Sequence, residues 1–233
     1  MSSALSIVIP TLNEARSLPC CLQSLVEHWP DAQRVVADGS SDDATVVMAE
    51  ATGAEVLTNL PRGRGSQLRA GAEIATGDWL LFLHADSALD ATAVQAVDAY
   101  RAESSHRLAL FQLRFDAPTL LLRFLAWWTR FDSVFTRFGD QGILIRRDFY
   151  DELDGFKAWP LFEDVDLLRR ARKHQPIDVL PAVLTTSARR FKRRGPCRQQ
   201  LTNTWLLLRF LAGADPVKLA QNYAPIRESK DSP

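Results

Sequence analysis

Short apolar runs rich in β-branched residues alternate with segments whose apolar positions recur every three or four residues, from the start of the chain to about residue 89. That alternation is the pattern of βαβ units around a largely parallel sheet. Leu5 to Pro10 is apolar on both faces and reads as a buried strand; Arg34 to Asp38, Glu55 to Asn59 and Trp79 to His84 follow as strands two to four. The fourth is continuous and apolar, so a central position is expected. Between the strands the pattern predicts a helix capped by Ser17 with Pro19 in its first turn, and a helix opened by Ser41 or Asp42 that runs to about Ala51. A third helix is expected from Ser66 to Ala75, stopped at Gly77, and the run Leu-Pro-Arg-Gly-Arg-Gly at 60–65 is expected to be loop.

Beyond residue 90 the alternation loosens. Asp90 to Glu103 reads as helix, Arg107 to Phe115 as a strand, 118–136 as an amphipathic helix and Ile143 to Ile145 as a short strand. Glu163 to Lys173 is helical, Ile177 to Thr186 extended, and Pro196 to Leu211 a last long helix. The expected class is therefore α/β: a Rossmann-like, mostly parallel sheet flanked by helices, with a mixed second half and C-terminal helices. Such a division suits one half that binds a common ligand and another that binds a specific partner.

Composition narrows this. Of 233 residues 46% are apolar and 24% charged, as in an ordinary globular protein. The 28 basic and 28 acidic residues cancel, which argues against a dedicated nucleic-acid binder. The balance is uneven, however: residues 187–233 hold ten Lys and Arg against three acids, so a basic tail follows an acidic body. Cys20, Cys21 and Cys197 form no even framework and fit a reducing compartment. The first residues lack the features of a leader, and the apolar stretches near 119–128 and 205–212 are cut by Arg123 and Arg209, so a cytoplasmic protein without a spanning segment is expected. Arg123, Arg130 and Arg137 recur every seven residues, as do Phe124, Phe131 and Phe138, with Trp127 and Trp128 between them. The readings that stand are a helix lying on an anionic membrane surface or covering a lipid-linked acceptor, and an aromatic core helix with solvated arginines. The run Arg189 to Arg194, followed by Leu201, Trp205 and Leu208 at helical spacing, admits a diphosphate clamp, a membrane patch or a solvated loop.

In open α/β sheets ligands bind beyond the carboxyl ends of the strands. Those ends are polar here: Pro10-Thr11-Leu12-Asn13-Glu14 after the first, Asp38-Gly39-Ser40-Ser41-Asp42-Asp43 after the second, Arg62 and Arg64 after the third, and His84-Ala85-Asp86-Ser87 after the fourth. Acids, hydroxyls and arginines thus converge on one edge, a mixture suited to a polar heterocycle, a diphosphate and a metal ion. Each also has a plain reading, since Asp38 and Ser41 could cap a helix and the arginines could be a solvated loop.

The segments SIVIPTLNE (6–14), VADGSSDDAT (36–45), GRGSQLRAG (63–71), FLHADS (82–87), GDQG (139–142) and FEDVDL (162–167), in this order, resemble family 2 glycosyltransferases with the GT-A fold. The HAD variant, GDQG and the SARR segment (187–190) are closest to a small bacterial subgroup associated with arsenosugar biosynthesis. The resemblance implies one GT-A catalytic domain over 1–186, with a nucleotide-sugar half at 1–89 and an acceptor half at 90–186, followed by a basic helical appendage at 187–233. It implies an inverting transfer from a nucleotide-diphosphate sugar, UDP-linked, to a hydroxyl acceptor. Pro10, Thr11, Asn13, Glu14, Asp38, Arg64, Arg69 and Ala85 would bind the nucleotide, with Asp38 accepting a hydrogen bond from the base. Asp86 matches the last acid of the family's DxD motif and would hold Mn²⁺ or Mg²⁺. His84 stands where the first acid usually stands; it could coordinate the ion, imidazole suiting Mn²⁺ better than Mg²⁺, or hold the ribose or a metal-bound water, a strand-end histidine bonded only to backbone being the plain alternative. Asp164 aligns with the general base, with Glu163 beside it, while acids in the first turn of a helix are favoured by the helix dipole whatever their function. Asp140 and Gln141 would lie near the acceptor, a tight turn being the plain alternative, and Arg189 or Arg190 would steady the departing diphosphate. A sugar-1-phosphate nucleotidyltransferase would carry its Gly/Arg-rich loop directly after the first strand, where PTLNE stands instead. A non-catalytic membrane-surface module would leave the acids at the strand ends unexplained.

Overall fold

The computed structural model describes residues 4–102, 105, 107–117 and 119–221. In chain order it contains β1 (Leu5–Thr11), α1 (Leu18–His28), β2 (Gln33–Asp38), α2 (Thr45–Glu50), β3 (Glu55–Leu57), α3 (Arg64–Ile74), β4 (Trp79–Phe82), β5 (Ala88–Leu89), α4 (Ala91–Ala102) and β6 (Leu108–Phe115). The second half continues with α5 (Leu120–Trp128), a 3₁₀ turn at Gly139–Gln141, β7 (Ile143–Arg146), α6 (Arg147–Glu152), α7 (Glu163–Ala171), β8 (Asp178–Thr186), α8 (Arg189–Arg194), α9 (Pro196–Leu211) and α10 (Pro216–Gln221).

The strands form one sheet in the order β3-β2-β1-β4-β7-β6-β8-β5. β1 to β4 are mutually parallel, β7 runs against both β4 and β6, β6 and β8 are parallel, and β5 is antiparallel to β8. β1 is buried at all seven positions, as its apolar run requires. Pro10 is tolerated there because β1 pairs with β4 only from Leu5 to Val8, so the missing N–H falls beyond that ladder. Between β6 and β8 the register jumps: Leu110 faces Val179 but Gln112 faces Val183, and the extra length on β8 takes up the exposed Pro181.

Side chains of successive strand residues separate onto the two faces. Ile7, Ile9 and Leu81 join α1 and α4 residues in one core, whereas Val8, Leu80 and Phe82 pack with Phe149, Leu167 and Leu168 in the other. A third, smaller core joins Leu161, Phe162 and Val165 to Leu206, Leu207, Phe210 and Leu219, so the C-terminal helices seat on α7. Arg147 ties the sheet to α3, donating to the carbonyls of Ala75 at 2.6 Å and Gly77 at 2.8 Å just past that helix.

Several boundaries depart from the sequence pattern. Ser17 occupies the N-cap of α1, but its side chain takes no helix N–H. α2 begins at Thr45, not at Ser41 or Asp42: Ser41 is drawn to Asp38, and Asp43 Oδ1 accepts the Thr45 N–H at 2.9 Å. Arg64 and Gly65, expected as loop, form the first turn of α3. The helix expected over 118–136 stops at Trp128, where the Thr129 hydroxyl turns back onto the Ala126 carbonyl at 2.6 Å. Arg137 then leaves the arginine stripe altogether. Its side chain is 1% exposed and donates to Gln141 Oε1 and the Arg130 carbonyl, both at 3.2 Å.

Candidate active site

The ends of β1 and β2 are stitched through Asp38. Its Oδ1 accepts from the Thr11 hydroxyl at 2.9 Å and the Ser41 hydroxyl at 2.5 Å, and its Oδ2 accepts the Ser41 N–H at 2.8 Å. The adjoining loops are held together in the same manner. The Asn13 N–H reaches Ser41 Oγ at 2.8 Å, Asn13 Oδ1 accepts the Asp42 N–H at 2.9 Å, and the Glu14 N–H donates to Thr45 Oγ1 at 2.9 Å. Asn13 and Ser40 adopt left-handed backbone, which small polar residues enter at modest cost. Beneath them lies Gln67, which sequence reasoning missed: its buried Nε2 donates to the Thr11 carbonyl at 2.6 Å and the Ala37 carbonyl at 2.9 Å. The sequence pattern marks it only as one polar position within α3.

A second group gathers around Arg64. Its Nε lies 3.0 Å from Glu163 Oε1 and its NH1 3.7 Å from Asp140 Oδ1, while His84 Nε2 lies 3.3 Å from the same Asp140 oxygen. α3 can deliver Arg64 there because residue 65 is glycine. A Cβ at Gly65 would fall 2.1 Å from the Lys157 carbonyl oxygen, and its N–H donates to the Trp159 carbonyl at 3.0 Å. Asp164 sits next to Glu163 and is 6% exposed. Its Oδ2 accepts the Gly139 N–H at 2.6 Å and its Oδ1 the Val165 N–H at 2.8 Å, so both oxygens are oriented by backbone. Glu163 is more deeply buried; among the described residues its Oε2 has no hydrogen-bond partner. Burial pushes the Glu163 carboxyl up to about 7 despite the attraction of Arg64, with the Asp164 charge adding to the rise. Burial opposes charge on His84, but the hydrogen bond and charge of Asp140 outweigh it and leave the imidazole above its ordinary value.

The third group joins the start of the chain to its basic tail. Arg189 grips Glu14 with both terminal nitrogens, NH1 to Oε2 at 2.9 Å and NH2 to Oε1, and its Nε lies 3.6 Å from Asp86 Oδ2. Asp86 is mostly buried, and burial raises its pKa above the ordinary carboxylate value against the pull of His84 and Arg189.

Thr11, Asn13, Glu14, Asp38, Arg64, His84, Asp86, Asp140, Glu163, Asp164 and Arg189 thus belong to these three groups. Pro10 and Ala85 lie in the adjoining backbone, and both residues are buried. Arg69 does not join them. It lies on another side of α3, 3.4 Å from both Glu73 Oε1 and the Phe156 carbonyl, because five residues along a helix turn a side chain well away from Arg64. Gln141 is also placed elsewhere than on an acceptor surface: it is fully buried, and its amide is spent on Arg137 and on the Thr136 carbonyl at 2.8 Å. The side chain of Arg190 lies outside the described residues.

Among the described residues no three His, Cys, Asp or Glu side chains converge as a ready-made metal cage. The donors that are present, the Asp86 carboxylate with His84 and Asp140 close by, suit a hard or borderline divalent ion whose remaining positions a bound diphosphate would fill.

A mostly parallel sheet with acids and arginines gathered at its strand ends, flanked by an acidic helix start, is an α/β arrangement of the GT-A type. The sequence matches the family described as Glycosyl transferase family 2 over residues 6–146, and the chain belongs to that family. A PGL/p-HBAD biosynthesis glycosyltransferase of Mycobacterium tuberculosis is 35% identical over 113 residues, which cover 46% of this chain and 40% of that protein. The match therefore spans less than half of the relative's length. Among solved structures, a mannosyltransferase from Pyrobaculum calidifontis in complex with GDP-Man and Mn²⁺ superposes with a TM-score of 0.69 at 17% identity, covering 96% of this chain and 70% of that one. Glucosyl-3-phosphoglycerate synthase from Mycobacterium tuberculosis, in complex with Mn²⁺, UDP and glucosyl-3-phosphoglycerate, gives a TM-score of 0.57 at 18% identity and covers 79% of this chain and 70% of that one. These likenesses show the fold, and the family match over residues 6–146 shows the family.

Proposed function

We propose that the protein transfers a sugar, with inversion at the anomeric carbon, from a UDP-linked donor to a hydroxyl acceptor. The observation that carries this reading is the convergence of Arg64, Glu163, Asp140 and His84, with Asp164 next to Glu163, at the sheet edge where the strands leading to Asp38 and Asp86 end. The 1–89 half would hold the donor and the 90–186 half the acceptor. Asp38 has one carboxylate oxygen with spare acceptor capacity for a base N–H, and Thr11 and Ser41 keep it aimed. A divalent ion held by Asp86 and His84 would neutralise diphosphate charge; the GDP-Man and UDP complexes of two structural neighbours contain Mn²⁺. Arg64 and Arg189 are placed to pair with phosphate oxygens as charge builds on the leaving group.

On the acceptor side the attacking oxygen forms its bond to the anomeric carbon as the bond from that carbon to the diphosphate oxygen breaks. The acceptor's proton passes to Asp164, whose carboxylate the Gly139 and Val165 N–H groups hold in place. A second reading makes Glu163 the base, favoured by its unpartnered Oε2 and its carboxyl poised near 7. The HAD, GDQG and SARR segments support placing the chain in the subgroup associated with arsenosugar biosynthesis, and its cysteine usage supports a cytoplasmic site of action. The test is incubation with a panel of nucleotide sugars and simple alcohols. Release of nucleoside diphosphate with an anomerically inverted product by NMR is expected; release of pyrophosphate, or retention of configuration, would sink the proposal.

A further inference from the structure

We propose that the face formed by α5 and α9 is a docking surface for an anionic lipid bilayer. α5 leaves Leu120 84% exposed and Phe124, Trp127 and Trp128 about half exposed, with Phe131 continuing the patch past the helix end. These rings pack on one another and leave their outer surfaces to solvent, with Trp127 and Phe131 5.1 Å apart and Phe124 and Trp128 5.7 Å apart. α9, which packs against α5, exposes Leu201, Trp205 and Leu208 at helical spacing. An apolar surface of this extent on a soluble chain marks an interaction site.

Charge selects the occupant. From residue 117 to 131 and from 187 to 214 the sequence contains no Asp or Glu. Arg123 and Arg130 flank the α5 rings, Arg198 and Arg209 are exposed on α9, and the Arg209 guanidinium lies over the Trp205 ring at 4.9 Å. Of the acids that border these stretches, Asp132 is paired with Arg172 and Asp116 with Lys192, and Asp215 accepts the Val217 N–H at the start of α10. Exposed indoles and rings beside uncompensated arginines are the chemistry of the interface between lipid headgroups and acyl chains. A second copy of the chain would bring like charges face to face across the same patch. Among the described residues no helix is long and apolar enough to cross a membrane, so the surface would lie on the bilayer. The segment after α5 leads directly into the Gly139 turn that holds Asp164; resting on the assignment of Asp164 to the acceptor side, docking presents that side to acceptors carried at the lipid surface.

Flotation of the full chain with vesicles of phosphatidylcholine, alone or mixed with phosphatidylglycerol, tests this. The wild type should float with the mixed vesicles, show a blue shift of tryptophan emission and bind less at high salt. Trp127→Ala with Trp205→Ala should weaken vesicle binding by about tenfold or more, and Arg123→Gln with Arg209→Gln should remove the preference for phosphatidylglycerol. All four residues are exposed, and an unchanged circular dichroism spectrum and UDP-induced thermal shift would show the fold and donor site intact. A wild type that fails to float with either vesicle, or variants that float as well as it does, would overturn the proposal. So would a dimer, seen by light scattering, that the tryptophan variants dissociate. None of these outcomes depends on whether transfer occurs, so failure here and failure of the glycosyltransferase reading are separable.

Discussion

The Nε of Arg189 lies 3.6 Å from Asp86 Oδ2, a cation set against the carboxylate expected to face the diphosphate and its metal. The same guanidinium is braced by Glu14, so in the free protein one arginine charge is shared between the Glu14 and Asp86 carboxylates. Arg189→Ala should therefore raise the affinity for Mn²⁺ in the absence of nucleotide by several-fold, since an ion no longer meets a neighbouring positive charge. Nucleotide affinity should fall at the same time, because a phosphate partner is lost. Mn²⁺ titration by electron paramagnetic resonance reads the first effect and calorimetry with UDP the second; unchanged Mn²⁺ binding would show that Arg189 does not shield Asp86.

Asp38 carries structure as well as any contact to a base. Replacing it with Ala strands the Thr11 and Ser41 donors and should cost about 1–3 kcal/mol of stability. Asp38→Asn keeps the shape and one acceptor oxygen, so it should cost less stability while still weakening nucleotide binding. Urea denaturation beside calorimetry separates the two effects. Wild-type UDP affinity in the Asn variant would remove Asp38 from the donor site.

Asp164→Asn should lower turnover by about 10²–10⁴-fold with donor affinity nearly unchanged. Glu163→Gln is the comparison. A larger loss in Glu163→Gln assigns the base to Glu163, and full activity in both variants would leave this acidic helix start with a structural role only.

Glu163 also gives stability a pH dependence whose sign is fixed. Its carboxyl is raised to about 7 in the folded chain, so between its ordinary value and 7 the native state holds a proton that the unfolded chain has lost. Stability from this group therefore falls as pH rises through that window, by about 3 kcal/mol in all if no other group responds. Glu163→Gln should abolish the slope, making the variant more stable than the wild type above pH 7 and closest to it below the ordinary value of the Glu163 carboxyl. Parallel unfolding curves for the two proteins across that range would refute the assignment.

Gly65→Ala should destabilise the protein and lower activity together. The new methyl meets backbone carbonyls of the 157–159 loop, which cannot rotate away, so α3 must shift and carry Arg64 from Glu163. Wild-type stability in this variant would show that the contact relaxes freely.

The first half of the chain was legible because its signals are local. β4 is an uninterrupted apolar run and β1, β2 and β3 carry apolar runs at Ile7–Ile9, Val35–Ala37 and Val56–Leu57, and polar residues just past such runs must gather at one sheet edge once the strands are parallel. What stayed hidden depends on distant partners. Nothing near Arg189 in sequence announces that it will meet Glu14, and Arg137 fits a solvated stripe until Gln141 and the Arg130 carbonyl draw it inward. The family motif groups Arg69 with Arg64, whereas the turn of α3 carries its side chain to Glu73 and the Phe156 carbonyl. β5 has only two residues, too few for periodicity to mark.

The small core that joins α7 to α9 and α10 bears on the modularity of the chain. The helix presenting Glu163 and Asp164 buries Phe162 and Val165 against Leu206, Leu207 and Phe210. A chain cut at the basic boundary near residue 187 would leave those side chains facing water directly behind the acids. The tail can diverge in its outward face, but its inward face is tied to the helix that carries the acids, so the two must change in concert.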